Sequence, residues 1–140
     1  MTEFERVYID TAPIIYYLEN NVFYVDKLKY FFRKCLDREI QLVTSTITIE
    51  EYLVFPYASG KLELVDNFKR FIEYMKMEIV DITADIAEQA AKIREQFRHF
   101  KAMDSLQLAA AIASGCDAFF TNDKQLRQET ELPCITLEDL

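Results

Sequence analysis

Short segments rich in β-branched and aromatic residues alternate with longer amphipathic segments along this chain, and this alternation constrains its fold more than any other feature. The strand candidates are residues 6–9, 40–43, 78–80 and 117–120, with a further one near 134–135. Strands that are separated by helices cannot pair through tight turns and usually form parallel ladders. We therefore predict an α/β fold built on a mainly parallel sheet.

Helices are predicted where apolar side chains recur at three- and four-residue spacing. These segments are residues 13–19, 23–37, 61–77, 104–114 and the stretch that follows a capping residue at Thr83. A further helix is predicted to begin after the polar run 44–46 and to be broken by Pro56 and Gly60, and a short one should follow Asp123. Residues 104–114 are apolar on nearly all sides and end at Gly115, which predicts a buried helix closed by a left-handed residue.

The 140 residues fit the size of one domain, and glycine and proline are too scarce to indicate a linker. We expect a single domain over residues 1–140. Cys35, Cys116 and Cys134 are odd in number and have no paired metal-binding spacing, which favours a reducing compartment. Acids stand near the start where a signal peptide has basic residues, and no apolar run is long enough to cross a bilayer. We expect a soluble, cytoplasmic protein that makes no contact with a membrane.

The net charge of -8 argues against binding to nucleic acid, because lysine and arginine supply most of the affinity for phosphate. An acidic balance of this kind is commonly a solubility feature. It is also what a cluster of carboxylates around a divalent cation would produce, and four such side chains would account for half of the charge. The charge by itself leaves both interpretations open.

Four acidic residues stand near the predicted carboxyl ends of the strands. Asp10 follows the first strand, Glu51 lies one to two turns into the helix after the second, Asp123 follows the fourth, and Asp104 opens the helix before it. Ligands of open parallel sheets gather at this edge. Carboxylates that are brought together repel one another unless they are protonated or bridged by a cation. Because no cysteine or histidine is positioned to make a softer site, oxygen ligands favour Mg²⁺ or Mn²⁺.

Each of these acids also has a local explanation. Asp104 at the head of a helix would be stabilised by about 0.3 to 1 kcal/mol through the helix dipole. Asp10 could cap the helix that begins near Pro13, and Asp123 could serve the first turn of the helix after it. It is their joint placement that points to a site. The sequence has no serine elbow, P-loop or dinucleotide-binding glycine motif, and its one histidine, His99, is predicted to lie on the surface.

Four sequence motifs resemble those of PIN-domain proteins and occur in the order of that family. They are Tyr-Ile-Asp-Thr at 8–11, Thr-Ile-Thr-Ile-Glu-Glu at 46–51, Lys-Ala-Met-Asp-Ser-Leu at 101–106 and Asp-Ala-Phe-Phe-Thr-Asn-Asp at 117–123. The resemblance is closest to the VapC-like toxins of toxin–antitoxin modules. Two features are different or ambiguous: Ala12 stands where the family often has asparagine, and the doublet Glu50-Glu51 offers two glutamates. Glu51 is favoured because it is third after Thr48, as in the threonine-x-x-glutamate pattern of the family.

The resemblance implies a PIN-like three-layer α/β/α fold with a central, mainly parallel sheet of four to five strands. Binding of Mg²⁺ or Mn²⁺ and a catalytic role are implied for Asp10, Glu51, Asp104 and Asp123. A supporting role is implied for Thr11, Thr121 and Asn122. The implied reaction is endonucleolytic hydrolysis of RNA by metal-activated water. The implied partners are the RNA substrate, a cognate antitoxin and a second copy of the chain in a homodimer.

Substrate phosphates need positive groups, and candidates close to the third motif are Arg94, Arg98 and Lys101. Any one of them could instead lie on a solvated helix face. Aromatic residues such as Tyr16, Tyr17 and residues 23–24 could stack on unpaired bases, although a place in the core or at a dimer face is the preferred interpretation. Two other functions stay open. One is a catalytically idle PIN domain that binds RNA or protein, and the other, ranked low, is a phosphoacceptor receiver domain, whose paired acids and lysine are missing from this sequence.

Overall fold

The computed structural model describes residues 4–129 and 131–140, so residues 1–3 and 130 of the predicted domain lie outside the described residues. The described strands are β1 (Arg6–Ile9), β2 (Gln41–Ser45), β3 (Glu78–Val80), β4 (Ala118–Thr121) and β5 (Cys134–Thr136). The described helices are α1 (Thr11–Leu18), α2 (Val25–Asp37), α3 (Thr46–Ala58), α4 (Leu62–Tyr74), α5 (Ala84–Gln96) and α6 (Ala102–Ala113). Two short 3₁₀ helices lie at Lys124–Gln128 and Leu137–Asp139. Every predicted strand and helix therefore has a counterpart.

The sheet has the strand order β3-β2-β1-β4-β5, and each neighbouring pair is parallel. This confirms the prediction of a mainly parallel sheet of four to five strands. After β1, the chain adds β2 and then β3 on one side of the sheet, and it then crosses to add β4 on the other side of β1. Open parallel sheets bind ligands beyond the carboxyl ends of their strands at such a reversal of direction. The space above the ends of β1 and β4 is therefore the expected place for a site.

Helices cover both faces of the sheet, so the protein has the predicted three layers. Crossovers between parallel strands are right-handed in nearly all proteins. Helices that connect strands added in one direction across the sheet therefore lie on one face, and helices that connect strands added in the other direction lie on the opposite face. Helices α1 to α4 pack on one face against Val7, Ile9 and Phe120, and α5 and α6 pack on the other against Tyr8 and Phe119. Because neighbouring residues of a strand point to opposite faces, β1 and β4 are apolar on both sides.

Pro56 does not break α3, contrary to the prediction. It lies in the last turn of that helix, whose last residue is Ala58 and whose C-cap is Ser59. The missing N–H of Pro56 costs the helix one hydrogen bond, the one to the carbonyl of Tyr52, and the ring of Pro56 is buried. Gly60 adopts a φ of 68° and ends the helix, while the N–H of Lys61 donates to the carbonyl of Pro56.

Other helix boundaries also differ from the predicted ones: α2 begins at Val25 rather than at residue 23, and α6 begins at Ala102 rather than at residue 104. Two further differences have identifiable reasons. Helix α1 begins at Thr11 rather than at residue 13, because the side chain of Asp10 caps it. Helix α4 ends at Tyr74 rather than at residue 77, because the backbone of Lys76 turns left-handed with a φ of 51°. Gly115 closes α6 with a φ of 74°, as predicted.

His99 is exposed, as predicted. Cys35 and Cys116 are buried, and Cys134 lies in β5. Helix α6 is buried along residues 107–111, as its apolar composition predicts. Within the described part of the chain, no helix is both long and apolar enough to cross a membrane.

Candidate functional site

A cleft of about 780 Å³ lies beyond the carboxyl ends of β1 and β4, where the strand order reverses. All four predicted acids line it: Asp10, Glu51, Asp104 and Asp123. The other lining residues are Thr11, Ala12, Ile15, Lys101, Ala102, Met103, Thr121 and Asn122. A larger groove of about 910 Å³ runs past residues 4–5 and 40, near the amino ends of β1 and β2, and contains none of the four acids. The fold therefore brings together side chains that lie far apart in sequence.

The carboxylate of Asp10 is held by three hydrogen bonds. Its Oδ1 accepts from the backbone N–H of Thr11 at 2.8 Å and from the amide of Gln107 at 2.8 Å, and its Oδ2 accepts from the hydroxyl of Thr121 at 2.7 Å. The backbone N–H of Asp10 in turn donates to the carbonyl of Phe120 at 2.9 Å, which ties the end of β1 to β4. The local explanation of Asp10 as a helix cap is correct, but capping uses only one of these bonds.

Of the doublet on α3, it is Glu51 that enters the cleft. Its Oε1 accepts from the hydroxyl of Thr11 at 2.7 Å and from the amide of Gln107 at 3.2 Å. Helix α3 begins after Ser45, whose hydroxyl caps it, and this start sets the direction of every later side chain. Glu50 is exposed and does not line the cleft, because one residue turns a helix by about 100°.

Asp104 and Asp123 line the cleft as well, and both are half-buried. Helix α6 begins at Ala102, so Asp104 lies in its first turn rather than at its first residue. Asp123 caps the 3₁₀ helix after β4, and its Oδ1 accepts from the N–H of Gln125 at 2.9 Å. Their local helix-end roles therefore coexist with a place in the cleft.

The electrostatic environment of Asp10 disfavours its charged form. Burial raises the pKa of Asp10 to about 6, and the negative charges of Asp104 and Glu51 act in the same direction. The hydrogen bonds from Thr121 and Thr11 lower that pKa but do not offset burial. The pKa shift follows from placing one carboxylate away from water and close to two others.

Asp104 has a raised pKa for the same reasons. Burial is the largest cause, the charges of Asp123 and Glu51 add to it, and the ammonium of Lys101 opposes it. A cluster of carboxylates under such mutual repulsion is stabilised by a cation. In the described part of the chain, however, no group of three or more His, Cys, Asp or Glu side chains is arranged so that it could hold a metal ion as it stands.

Gln107 belongs to this site, although the sequence analysis did not identify it. It is only 1% exposed, and its amide Nε2 donates to Asp10 and Glu51 while its Oε1 accepts from the hydroxyls of Tyr8 and Thr48. Two features of the sequence could have identified Gln107: it is polar within the apolar run 106–111, and it stands three residues after Asp104. Residues at that spacing share one face of a helix.

The predicted supporting residues have different partners. Thr11 donates to Glu51, and Thr121 donates to Asp10, so both contact predicted acids. The side chain of Asn122 instead donates to the hydroxyl of Tyr16 at 3.2 Å, on the rim of the cleft. The first two therefore orient carboxylates, and Asn122 joins the loop after β4 to α1.

The predicted substrate-binding cations are only partly brought to the cleft. Lys101 lines it, next to Asp104. Arg94 and Arg98 are exposed on and just after α5 and are not part of the lining. Of the predicted aromatic residues, Tyr17 packs against Phe32 and Phe71, with ring centroids 4.9 and 5.3 Å apart, and so belongs to the core.

The sequence model of the PIN domain matches residues 7–131 of this chain, a span that includes all four acids. The chain belongs to the PIN-domain family. No curated protein matches the sequence closely enough to count as a relative. The family match confirms the resemblance to PIN-domain proteins that the sequence motifs indicate.

Three solved structures resemble this PIN domain over nearly its whole length. VapBC2 from Rickettsia felis, bound to a DNA fragment from its promoter, has a TM-score of 0.76 at 17% identity, covering 94% of this chain and 98% of that one. A toxin–antitoxin complex from Klebsiella pneumoniae gives 0.69 at 20% identity, covering 96% and 99%. DNA-bound VapBC from Salmonella typhimurium gives 0.68 at 16% identity, covering 94% and 98%. At these identities the likeness concerns the fold.

The raised pKa of Asp10 predicts that this PIN domain, without metal, gains stability when that charge is removed. The folded pKa of about 6 exceeds the usual value of 3.8, so the favourable contribution is complete below about pH 4 and is lost as pH rises through 6. Asp10→Asn should therefore raise the free energy of unfolding at pH 7 in EDTA by about 1 to 3 kcal/mol, and by much less at pH 4.

Urea unfolding at the two pH values measures this gain. Asp66→Asn, at an exposed position of α4, is the control and should not reproduce it. A lower stability of Asp10→Asn than of wild type at pH 7 would contradict the electrostatic account of the cleft.

Proposed function

We propose that this PIN domain is a metal-dependent endoribonuclease in which Asp10, Glu51, Asp104 and Asp123 bind Mg²⁺ or Mn²⁺. The observation that carries the proposal is the convergence of these four carboxylates, from four different segments of the fold, on one cleft at the reversal of strand order. Membership of a family of nucleases supports hydrolytic chemistry at this cleft. The raised pKa values of Asp10 and Asp104 support the need for a counter-cation.

The donor atoms fit a hard divalent cation. Each acid supplies oxygen, and such ions prefer carboxylates together with water. In the described part of the chain these side chains are not arranged around a common point, so metal binding would require some of them to move. The bound ion would polarise a phosphoryl oxygen and lower the pKa of an attacking water.

Side chains of this protein hold and surround the reacting region. Thr11 and Thr121 hold two of the carboxylates through hydroxyl groups, so these acids stay directed into the cleft. Ala12, Ile15 and Met103 form an apolar part of the lining. Lys101 places a positive group beside Asp104, where a substrate phosphate would lie.

We propose single-stranded RNA as the substrate because of the rim of the cleft. Tyr16 stacks on Tyr24 with ring centroids 5.3 Å apart, and its hydroxyl accepts from Asn122 of the cleft lining. Phe23, next to this pair, is 81% exposed. Exposed aromatic rings beside a hydrolytic site suit unpaired bases, which stack on them without regard to sequence.

We propose that the protein is the toxin of a toxin–antitoxin module and binds a cognate antitoxin. The solved structures of similar fold come from VapBC and other toxin–antitoxin complexes, which supports this role. An antitoxin that presents arginine or lysine would neutralise the acidic cleft. We also propose a homodimer, for which the exposed apolar residues Val54, Phe55 and Tyr57 of α3 offer surface. We further propose that residues 1–140 form a single PIN domain and that the protein acts in the cytoplasm.

Cleavage of labelled cellular RNA by the purified protein tests the proposed activity. We expect endonucleolytic products with Mg²⁺ or Mn²⁺ and intact RNA in EDTA, with activity restored when metal is added back in excess. Folded protein that binds RNA but does not cleave it with either metal would favour the idle binding module instead.

Lys101 is predicted to contribute to binding of the substrate rather than to the chemical step. It is the one cation among the described residues that line the cleft. Lys101→Met keeps most of the aliphatic stem and should raise KM about threefold to tenfold at physiological salt, with a small change in kcat. The slope of log affinity against log salt should fall by about 1. Lys92→Met on the exposed face of α5 should leave both quantities unchanged, and an equal effect of the two substitutions would refute this role.

A further inference from the structure

We propose that Gln107 is a positioning residue, whose side-chain amide sets the spacing and direction of Asp10 and Glu51 before a metal ion binds. The inference rests on the proposed metal site and adds to it a residue from the middle of α6. Gln107 is buried within the protein and is not part of the cleft lining, so it acts through the two carboxylates.

The amide of Gln107 connects two acids that come from different parts of the fold. Its Nε2 lies 2.8 Å from Oδ1 of Asp10 and 3.2 Å from Oε1 of Glu51, and it donates to both. The same nitrogen lies 3.4 Å from Oγ1 of Thr11, which itself donates to Glu51. An amide NH₂ group has two hydrogens, and each carboxylate receives one of them. The end of β1 and the second turn of α3 are thus held by one group from the opposite layer.

The direction of this amide is fixed by its other neighbours. Oε1 of Gln107 accepts from the hydroxyl of Tyr8 at 2.7 Å and from the hydroxyl of Thr48 at 3.2 Å. The ring of Tyr8 is itself fully buried and stacked on Phe119 at 5.2 Å, so its hydroxyl has little freedom. A flipped amide would place its oxygen against two carboxylates, which are acceptors only. The NH₂ group therefore has to face the acids.

Packing alone does not account for a glutamine at this position. The residues that follow it, Leu108 to Ala111, are apolar and as deeply buried, and a buried amide is stable only when all its hydrogen bonds are made. Here all four are made, and two of them go to proposed metal ligands. A neutral donor holds the two anions in place without neutralising their charge, so the site stays attractive to a cation.

The binding of Mn²⁺ tests this inference, measured by isothermal titration calorimetry on the purified full chain. Gln107→Met keeps the length of the side chain but removes both donors, and we expect Mn²⁺ to bind about 10- to 100-fold more weakly. Gln41→Met is the matched control. Its Nε2 donates to the carbonyls of Leu42 and Lys76 at the far end of β2, so it loses two bonds without affecting the cleft, and its Mn²⁺ affinity should equal that of wild type.

Cleavage rates measured against Mn²⁺ concentration separate a positioning role from a merely structural one. Loss of positioning should shift the concentration for half-maximal rate of Gln107→Met by the same factor, and saturating metal should restore most of the rate. A structural defect lowers the active fraction equally at all metal concentrations. Unaltered Mn²⁺ affinity of Gln107→Met, or a rate deficit that metal does not relieve, would overturn the inference.

A second variant tests the route from Tyr8 through the amide, and it keeps the inference falsifiable if Gln107→Met does not fold. Tyr8→Phe removes the hydroxyl that holds Oε1 and preserves the ring stack on Phe119. We expect Mn²⁺ to bind about threefold to tenfold more weakly in this variant, and no further loss when Tyr8→Phe is added to Gln107→Met. Wild-type affinity of Tyr8→Phe, or equal losses in both backgrounds, would show that Tyr8 does not act through Gln107.

Failure of this inference can be told apart from failure of the proposed function. If wild type binds no Mn²⁺ and cleaves no RNA, the proposed metal nuclease is wrong and the inference falls with it. If wild type binds and cleaves while Gln107→Met matches it in both, the nuclease stands and only the role of Gln107 is rejected.

Discussion

Replacement of Asp104 by asparagine is expected to reduce the rate of RNA cleavage by about 10²- to 10³-fold at saturating metal. The substitution keeps the shape of the side chain but removes the negative charge of a proposed metal ligand, whose pKa the charges of Asp123 and Glu51 help to raise. A divalent ion stabilises developing charge by several kcal/mol, and each 1.4 kcal/mol corresponds to about tenfold in rate. Single-turnover cleavage of labelled RNA in Mn²⁺ measures the effect on the chemical step.

The matched control for this substitution is Asp85→Asn. Asp85 lies in the first turn of α5 as Asp104 lies in the first turn of α6, so both acids interact with the amino end of a helix. Asp85→Asn should lose only that interaction, about 0.3 to 1 kcal/mol of stability, and should cleave at the wild-type rate. Equal cleavage by all three proteins would mean that Asp104 only stabilises its helix.

The second large effect is expected from the neighbouring glutamates of α3. Glu51→Gln should lower the cleavage rate by about 10²- to 10³-fold, whereas Glu50→Gln should leave it within about twofold of wild type. Only Glu51 lines the cleft, and its Oε1 accepts from Thr11 and Gln107. Because glutamine retains that acceptor oxygen, the fold should survive and the measured loss should reflect the charge.

Parallel cleavage assays and urea unfolding of the two variants settle which glutamate acts. The ambiguity of the doublet is a matter of helix rotation, since one residue turns the side chain by about 100°. A large loss in Glu50→Gln with normal activity in Glu51→Gln would mean that the cleft binds metal in a different register of α3 from the one described.

The sheet and the four acids could be predicted because they depend on local patterns. Strands such as Arg6–Ile9 are short, apolar on both faces and separated by amphipathic helices, which leaves a parallel sheet as the only economical arrangement. Acids that follow such strands must then meet at one edge of the sheet. The convergence of Asp10 and Asp123 in one cleft follows from topology rather than from any contact visible in the sequence.

The parts that could not be predicted depend on contacts between distant residues. Gln107 is a polar residue in a helix that is predicted to be buried, and the partners of its amide, Tyr8 and Asp10, are known only from the structure. That α3 continues past Pro56, with its ring buried, is likewise known only from the structure. The path of α5 is what keeps Arg94 out of the cleft, and charge patterning gives no information about it.

The net charge of the molecule also shows what cannot be predicted from the sequence. A net charge of -8 is an argument against nucleic-acid binding only while the acids are treated as evenly spread. The cleft concentrates four of them, and the pKa of Asp10 is raised to about 6 by burial and by its neighbours. The effect of the negative charge depends on where the acidic residues lie in the fold, and composition gives no information about their positions.

The most direct test of the central claim is the position of Mn²⁺ in crystals of the protein, located by anomalous diffraction. The proposed metal site predicts a strong anomalous peak in the cleft, within coordination distance of carboxylate oxygens from at least two of the four acids Asp10, Glu51, Asp104 and Asp123. It also predicts that the peak disappears from crystals of Asp104→Asn or is greatly weakened in them. Crystals that hold Mn²⁺ at millimolar concentration with no peak in the cleft, or with peaks only elsewhere on the surface, would contradict the assignment of this cleft as a metal centre.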